Sequence, residues 1–347
     1  MSFPHPVRAA LAAIAAFVVG GGVITLAPAA LAGVWSAPAA IDATSSPNPS
    51  VTPSTSVPSS PSPTPTPSPT AKPKPSPYTH RVYVSATITP GNRAVVGVAY
   101  PITVKFSRPV SRRIAQAGLS VTTSRATSAG AWSWTDSSTA TYRTRTFWPA
   151  NTTITVTVKL DKKFVGVVNA RTKILGGYGT NQTVVFHTSR AQVSYVNDRT
   201  HRMSVFVNGN RVKTFGVSLG KSGFLTRSGI KVTTDKYAVR RMTGRELGLR
   251  KPSEQYDLQV PWAVRITPTG EFIHAAPWAS GRIGRWNGSH GCTNLLPGSG
   301  RWFYDHSIPG DPVITVGTHR KMEPWNGLGG PWNVAWSDWL SNSYSTR

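Results

Sequence analysis

The chain has 347 residues, and its 38 Lys and Arg against 13 Asp and Glu give a formal net charge of +25. The length suffices for about two domains with cores of their own, while a single cysteine excludes an intrachain disulfide and any metal site that needs several cysteines. A charge of this size indicates anionic surroundings, which include nucleic acid, a membrane surface and an anionic cell wall.

The first 32 residues have the composition of an export signal. Arg8 precedes an apolar, Ala-rich stretch, and Ala30-Leu31-Ala32 offers the small residues that a signal peptidase accepts. The alternative is an uncleaved membrane anchor. Either interpretation places the rest of the chain outside the cytoplasm and leaves residues 1–32 as the only expected contact with a membrane.

Residues 33–79 form a predicted linker rich in Pro, Ser and Thr. Of the 29 prolines in the chain, 12 fall between Pro47 and Pro77. Such a tract has too few apolar residues to bury a core and favours extended polyproline II. At ~3.1 Å per residue it spans on the order of 100 Å, which is enough to hold a folded unit away from a membrane.

Residues 80–190 are expected to form one all-β domain. Apolar residues alternate with polar ones over residues 102–106 and again over residues 154–160, and Pro- or Gly-containing turns separate the runs. Several short strands at this spacing predict an immunoglobulin-like sandwich. The region has 15 Lys and Arg against two Asp and shows no catalytic constellation.

Residues 191–318 are also β-rich. Apolar residues alternate from Met203 to Val207 and lead into Asn208-Gly209, which predicts a β-hairpin. A glycine-rich segment at residues 220–223 resembles a phosphate-binding loop, but the first glycine of that motif is missing and an exported protein has no access to ATP. We therefore reject nucleotide binding there.

Residues 319–347 form a Trp-rich extension. Trp332, Trp336 and Trp339 have the i, i+4, i+7 spacing of one helix face. We expect a short helix that docks its aromatic face on the preceding domain, with carbohydrate stacking as the alternative. The predicted fold class is therefore mainly β, with two β-rich domains and a short C-terminal helical extension.

The lone cysteine, Cys292, is the candidate nucleophile. It lies among Ser, His, Gly, Thr and Asn rather than in an apolar run, and a free thiol in an oxidising compartment is a liability unless it has a use. A nearby imidazole can take the thiol proton and lower its apparent pKa, and His274 and His290 are both candidates. Gly291 beside the nucleophile allows a turn whose N–H groups face a developing oxyanion.

Other chemistries fit the residues less well. A metal site at His274, His290 and Cys292 would offer only three ligands, and their spacing does not match a known zinc-binding pattern. We expect neither a metal nor a cofactor. Nucleic-acid binding fits the charge, but no recognition motif is present and export argues against it.

The order of these residues resembles a known catalytic motif. His274, a gap of 14 residues and then Ser289-His290-Gly291-Cys292-x-Asn294 resemble the motif of L,D-transpeptidases with a YkuD-type catalytic domain. The resemblance extends over residues 80–340, because two-domain members of that family carry an immunoglobulin-like module before the catalytic domain. Papain-like and NlpC-like peptidases place Cys before His, and sortases expect Thr-Leu-x-Thr-Cys.

The resemblance implies roles for individual residues. Cys292 is the implied nucleophile and His274 the implied base, oriented by the carbonyl of the next residue, Ala275. A flap is expected between about Arg241 and Trp262. The remaining implied positions are oxyanion donors and substrate-binding residues: His290, Gly291, Ser289, Asn294, Trp278 on the acceptor side, and Met242 and Tyr256 on the donor side.

The resemblance also implies a reaction. A Cys292 thioester would form on a tetrapeptide stem of peptidoglycan with loss of D-alanine, and an amine of a second stem would then complete a 3→3 crosslink. The family resemblance implies acylation by carbapenems. An L,D-carboxypeptidase, in which water is the acceptor, and a non-catalytic protein that binds the cell wall are the alternatives. The expected partners are donor and acceptor stems and the anionic wall, and the oligomeric state is left open.

Overall fold

The computed structural model describes residues 76–343. The predicted signal segment 1–32 and nearly all of the predicted linker 33–79 lie outside this range. The described chain is mainly β, as the sequence predicts. Among these residues, no helix combines the length and the hydropathy that crossing a bilayer requires.

The first domain is built from eleven short strands and one short helix, α1 (Arg112–Gln116). The strands are β1 (His80–Val84), β2 (Ala86–Thr89), β3 (Val95–Val96), β4 (Ile102–Phe106), β5 (Leu119–Thr123), β6 (Gly130–Trp134), β7 (Thr139–Thr144), β8 (Thr153–Lys159), β9 (Phe164–Asn169), β10 (Thr172–Gly176) and β11 (Asn181–Thr188).

Two four-stranded sheets, in the orders β2-β4-β7-β6 and β3-β11-β8-β5, enclose the core of this sandwich, and β1-β10-β9 form a third sheet. The alternation in β4 and β8 directs every second side chain inward, so Val104, Phe106 and Val156 are buried. The sandwich is the immunoglobulin-like fold that the strand spacing predicts.

The second domain contains nine strands and the helix α2 (Pro297–His306). The strands are β12 (Gln192–Asn197), β13 (Arg202–Val207), β14 (Asn210–Gly216), β15 (Gly229–Val232), β16 (Lys236–Thr243), β17 (Asp257–Arg265), β18 (Phe272–Ala275), β19 (Thr293–Leu295) and β20 (Pro312–Val316).

These strands form a five-stranded sheet, β14-β13-β12-β20-β15, and a four-stranded sheet, β16-β17-β18-β19. Their shared core includes Val205, Ile273, Leu295 and Phe303, the last from α2. The hairpin predicted at Asn208-Gly209 is confirmed: both residues have positive φ, 49° and 87°, and they join β13 to β14.

The C-terminal extension differs from the prediction of one helix. Trp332 lies in a 3-10 turn (Gly330–Asn333), whereas Trp336 begins a separate helix, α3 (Trp336–Ser341). The backbone is extended at Val334, with φ −85° and ψ 133°, and this interrupts the helix. The expectation of a single helical face is therefore wrong, although the three tryptophans still converge on one partner.

That partner is Arg143, a buried arginine of the immunoglobulin-like domain. Its guanidinium carbon lies 5.5, 5.1 and 4.8 Å from the ring centroids of Trp332, Trp336 and Trp339, and its Nη2 donates to the carbonyl of Val334 at 2.8 Å. Aromatic faces stabilise a desolvated cation. Trp332 also packs with Ile230 and Ile314 of the second domain. The extension thus docks on the preceding domain, as expected, and on the first domain as well.

The two domains meet along a close backbone contact. Gly97 N–H donates to Pro309 at 2.8 Å, and Ala99 N–H donates to Gly310 at 2.9 Å. Gly310 has φ 104°, and a Cβ added to Gly97 would overlap its backbone. Trp332 closes the junction, since its Nε1–H donates to the carbonyl of Ala99 at 2.8 Å.

Candidate active site

Cys292 lies directly before β19, at the edge of the four-stranded sheet. Strand β19 runs parallel to β18 with Ile273 opposite Thr293 and His274 opposite Asn294. Because side chains alternate along a strand, Cys292 and Asn294 project to the same face as His274. The parallel register therefore places Cys292 on the face of His274, although the two residues are 18 positions apart in sequence.

His274 is oriented through its ring nitrogen Nδ1. The side chain is 4% exposed, and Nδ1 lies 2.8 Å from the carbonyl oxygen of Ala275. A carbonyl can only accept, so Nδ1 carries the hydrogen and Nε2 has a free lone pair. Burial lowers the pKa of His274 to about 4, which keeps the ring neutral and able to accept a proton at neutral pH.

The thiol of Cys292 is also neutral in the resting site. Burial raises its pKa to about 12, although the backbone N–H of Phe272 acts in the opposite direction. The sulfur lies 3.7 Å from the carbonyl oxygen of Gly270. Desolvation thus opposes the lowering of the thiol pKa that a nearby imidazole can produce. A neutral thiol can act as a nucleophile only if a base takes its proton as the sulfur attacks.

The turn before the cysteine is held by Ser289. Its Oγ donates to the carbonyl of Cys292 at 2.6 Å and accepts from the N–H of Gly291 at 3.0 Å. Gly291 has φ 119°, a conformation that L side chains rarely adopt. This N–H is already engaged, so the prediction that Gly291 supplies a free oxyanion donor needs correction. The N–H groups of His290 and Cys292 have no acceptor among the described residues.

His290 packs between two aromatic rings. Its ring lies 4.6 Å from Phe224 in an edge arrangement and 5.0 Å from Tyr256 in a stacked one, measured between centroids. Burial and the positive charge of Lys221 lower the pKa of His290. The imidazole of His290 thus lines the site together with Phe224 and Tyr256, and it packs against the ring of Tyr256.

The predicted flap is a long hairpin. Strands β16 and β17 are joined by residues 244–256, which include 3-10 turns at Gly244–Leu247 and Pro252–Glu254. An exposed bidentate ion pair, Arg241 with Asp257 at 2.6 and 2.9 Å, ties the strands at the base of the loop.

Two flap residues share an apolar cluster with the cysteine. Met242 is buried in an apolar cluster with Phe272, and Tyr256 and Cys292 pack against that cluster. Burial raises the pKa of Tyr256 to about 12, so its hydroxyl stays protonated. Both residues that the resemblance implies for the donor side thus belong to, or pack against, the same apolar cluster as Cys292.

The remaining candidates flank the histidine. The ring of Trp278 lies 6.1 Å from that of His274, and this tryptophan is 42% exposed. Asn294 is buried, its backbone N–H donates to Ser218 at 2.9 Å, and its Oδ1 has no hydrogen-bond partner among the described residues. Trp278 thus offers an accessible aromatic face, and Asn294 an unused acceptor, beside His274.

Several residues at the site were missed in the sequence. The loop at 220–223, rejected as a phosphate loop, lies beside the site: Lys221 N–H donates to the carbonyl of Ser289 at 3.0 Å. Glu271 carries a buried carboxylate next to the segment that contacts the sulfur. One signal in the sequence could have identified Glu271: it is an acidic residue at the start of the mainly apolar residues 271–276, in a chain with only 13 Asp and Glu.

The described residues contain no group of three or more His, Cys, Asp or Glu side chains placed to hold a metal ion. The chemistry that the arrangement offers is nucleophilic attack by sulfur, assisted by a neutral imidazole and backbone N–H groups.

Comparison with known families matches both domains. The model of a bacterial Ig domain matches residues 76–163, and the model of the L,D-transpeptidase catalytic domain matches residues 191–315. A solved structure of the L,D-transpeptidase LdtMt1 in complex with imipenem aligns at a TM-score of 0.56 with 31% identity, covering 67% of this chain and 99% of that one.

Curated relatives carry the same name. L,D-transpeptidase 2 of Mycobacterium tuberculosis (strain CDC 1551 / Oshkosh) is 32% identical over 260 residues, which is 74% of this chain but 61% of that protein, less than two thirds of its length. L,D-transpeptidase 1 of M. tuberculosis (strain ATCC 25618 / H37Rv) is 31% identical over 234 residues, 67% of this chain and 84% of that protein. With a catalytic domain that matches the family model and a relative that is 31% identical over 84% of its own length, the chain belongs to the L,D-transpeptidase family.

Proposed function

We propose that this protein is a peptidoglycan L,D-transpeptidase that forms 3→3 crosslinks through a thioester on Cys292. The observation that carries the proposal is the orientation of His274: its Nδ1–H is bound to the carbonyl of Ala275 at 2.8 Å, which leaves Nε2 free on the face shared with the cysteine. A base held in one tautomer on the face of a half-buried thiol is an arrangement suited to acyl transfer.

In the first half-reaction, the sulfur attacks the carbonyl carbon of the third residue of a tetrapeptide stem while the thiol proton passes to His274. The N–H groups of Cys292 and His290 face the developing oxyanion. Collapse of this intermediate breaks the peptide bond, and His274 returns the proton to the amine of the departing D-alanine.

In the second half-reaction, an amine of a neighbouring stem attacks the thioester, and His274 takes the proton of that amine. The carbon–sulfur bond breaks, and the proton restores the thiol of Cys292. Exposed Trp278 beside His274 is suited to the acceptor side, and Met242 and Tyr256 of the flap are suited to the donor side. Water as the acceptor would give an L,D-carboxypeptidase instead.

The proposed location is outside the cytoplasm, within the anionic cell wall. Support comes from the predicted export signal, the proline-rich linker and the net charge of +25. The wall is the proposed partner of the basic surface, and the N-terminal segment is the only proposed contact with a membrane.

Intact-mass spectrometry of the full chain tests the proposal. Incubation with imipenem, or with tetrapeptide stems, is expected to add one acyl group to the wild type and none to Cys292→Ala. Because the matched variant keeps the fold, it is expected to bind isolated cell walls as the wild type does. Folded wild-type protein without any adduct on Cys292 would contradict the proposed chemistry and favour a non-catalytic wall-binding role.

Muropeptide analysis separates the two acyl-acceptor outcomes. Crosslinked dimers together with free D-alanine are the expected products of transpeptidation. Tripeptide stems and D-alanine without dimers would indicate that water is the acceptor, which would assign the carboxypeptidase activity.

A further inference from the structure

A buried charge cluster lies beneath the cysteine and has no part in the reaction described above. Lys231, which is 0% exposed, has its Nζ 2.9 Å from one carboxylate oxygen of Glu271. Arg227 has its Nη1 2.9 Å from the other oxygen of Glu271, and its Nε lies 2.5 Å from Glu323. Glu271 is thus the buried carboxylate shared by Lys231 and Arg227, and Arg227 links it to Glu323, which also lies 3.8 Å from Arg320.

The position of Glu271 links this cluster to the sulfur. Its neighbours in sequence supply both backbone groups that contact Cys292: the carbonyl of Gly270, 3.7 Å from the sulfur, and the N–H of Phe272. One group accepts from the thiol and the other donates to the thiolate. Since Glu271 lies between them, ion pairs that fix its side chain also fix these two groups.

The same cluster reaches the second segment beside the nucleophile. Arg227 follows Thr226, whose Oγ1 donates to the carbonyl of Gly291 at 2.9 Å and accepts from the N–H of Gly220 at 2.9 Å. Two adjacent residues, Thr226 and Arg227, therefore hold Gly291 and Glu271, which both lie next to the cysteine in sequence or in space.

The anchor of the cluster lies in the other sheet of the domain. Lys231 belongs to β15, and its Nζ also donates to the Oγ1 of Thr315 in β20 at 3.2 Å. Breaking a buried ion pair is costly because one charge is left without a partner, so such a pair resists displacement. The segment before β18 that contacts the cysteine is thereby fixed to the five-stranded sheet.

We propose that Lys231 and Glu271, with Arg227, are positioning residues that hold the Gly270–Phe272 segment against Cys292 and balance opposite charges beside its sulfur. The proposal rests on the proposed function of Cys292 as the nucleophile, and none of the three residues touches the reacting atoms in this assignment. Glu271 raises the pKa of the Cys292 thiol and Lys231 lowers it, so the two charges act on the sulfur in opposite directions.

The test uses the single thiol of the chain as its own reporter. The rate of alkylation of the full chain by iodoacetamide is measured from about pH 6 to the alkaline limit of stability. Glu271→Gln is expected to shift the profile to lower pH, and Lys231→Met to shift it to higher pH, each by about one unit. Both single variants are expected to slow acylation by imipenem at least about tenfold, because the sulfur is misplaced.

A double variant covers the case in which a single variant does not fold. Lys231→Met with Glu271→Leu removes both charges without leaving either unpaired, and such replacements preserve or raise stability in other proteins. Its alkylation profile is expected near that of the wild type, while acylation by imipenem stays slow. A double variant acylated at the wild-type rate would overturn the proposal.

A second ion pair provides the matched control. Arg190 lies 3.2 Å from the buried Asp311 at the junction of the two domains. Arg190→Met is expected to lower stability but to leave the alkylation profile unchanged. Shifts of the same sign in Glu271→Gln and Lys231→Met, or a shift in the control, would refute the proposed charge balance. Alkylation needs no substrate, so these outcomes hold even if the wild type proves inactive on cell-wall stems.

Discussion

Replacement of Trp332 by Ala tests the junction of the three parts of the chain. The indole is 3% exposed, it packs edge-on against Phe147 at 4.8 Å, and its Nε1 donates to the carbonyl of Ala99 at 2.8 Å. Truncating a buried tryptophan costs about 3–5 kcal/mol, and an unsatisfied buried carbonyl costs about 1 kcal/mol or more. We expect the free energy of unfolding to fall by about 4–6 kcal/mol.

The assay is urea unfolding followed by far-ultraviolet circular dichroism, since tryptophan fluorescence itself changes in the variant. Trp332→Phe is expected to recover most of the loss, because the ring volume is largely kept while the N–H is removed. Trp325 is the matched control, because it is 70% exposed and its replacement by Ala is expected to change stability by no more than about 0.5 kcal/mol. Equal midpoints for Trp332→Ala and Trp325→Ala would refute the assigned packing.

Two further predictions concern the domain contact and the pH dependence of stability. Gly97→Ala is expected to destabilise the fold by about 1–3 kcal/mol, because the new Cβ would overlap the backbone of Gly310; Gly91→Ala, which meets no atom within 4 Å, should leave the unfolding midpoint nearly unchanged, and equal effects would contradict the contact. Because burial lowers the pKa of His274 from 6.5 to about 4, the unfolded chain binds a proton that the folded chain does not between these values. Stability therefore falls as the pH drops from 6.5 to 4, by about 3 kcal/mol from this group alone. Urea unfolding of His274→Gln should show a smaller fall over that window, and parallel curves for the two proteins would contradict a neutral buried histidine.

The resting state of the site has a consequence for inhibitors and substrates alike. With the thiol pKa raised to about 12 and the histidine pKa lowered to about 4, Cys292 and His274 are both neutral at pH 7. Such a thiol reacts slowly with general alkylating agents, because the thiolate is the reactive form. In the proposed reaction, the substrate places its carbonyl carbon at the sulfur. The N–H groups stabilise the oxyanion that develops as the thiol loses its proton and the sulfur attacks.

Local sequence patterns were sufficient for the elements of the fold. Alternating apolar residues predict strands such as β4 and β8, because burial of one face imposes a period of two. Asn208-Gly209 predicts its hairpin, because both positions need positive φ. The helix expected over the three C-terminal tryptophans failed, because spacing records which residues lie on one face of an ideal helix, whereas the chain bends at Val334 to reach Arg143.

Much of the site could likewise be anticipated from residue types and their order. The isolated cysteine in a polar setting, preceded by a histidine, indicated a nucleophile and its base. The sequence could not reveal that Gly291 N–H is engaged by Ser289, since that depends on the dihedral angles of one turn. It also could not show that Lys231 pairs with Glu271. The two residues are 40 positions apart in the chain, and they adjoin different sheets.

Residue types and their order therefore indicate the chemistry open to this protein: one candidate sulfur nucleophile, a histidine before it, two β-rich domains and a basic composition. The arrangement of these groups depends on the fold. Parallel pairing of β18 with β19 places His274 on the face of Cys292, and burial makes both groups neutral. Protonation states depend on desolvation and on charges distant in sequence, and these exist only once the chain has folded.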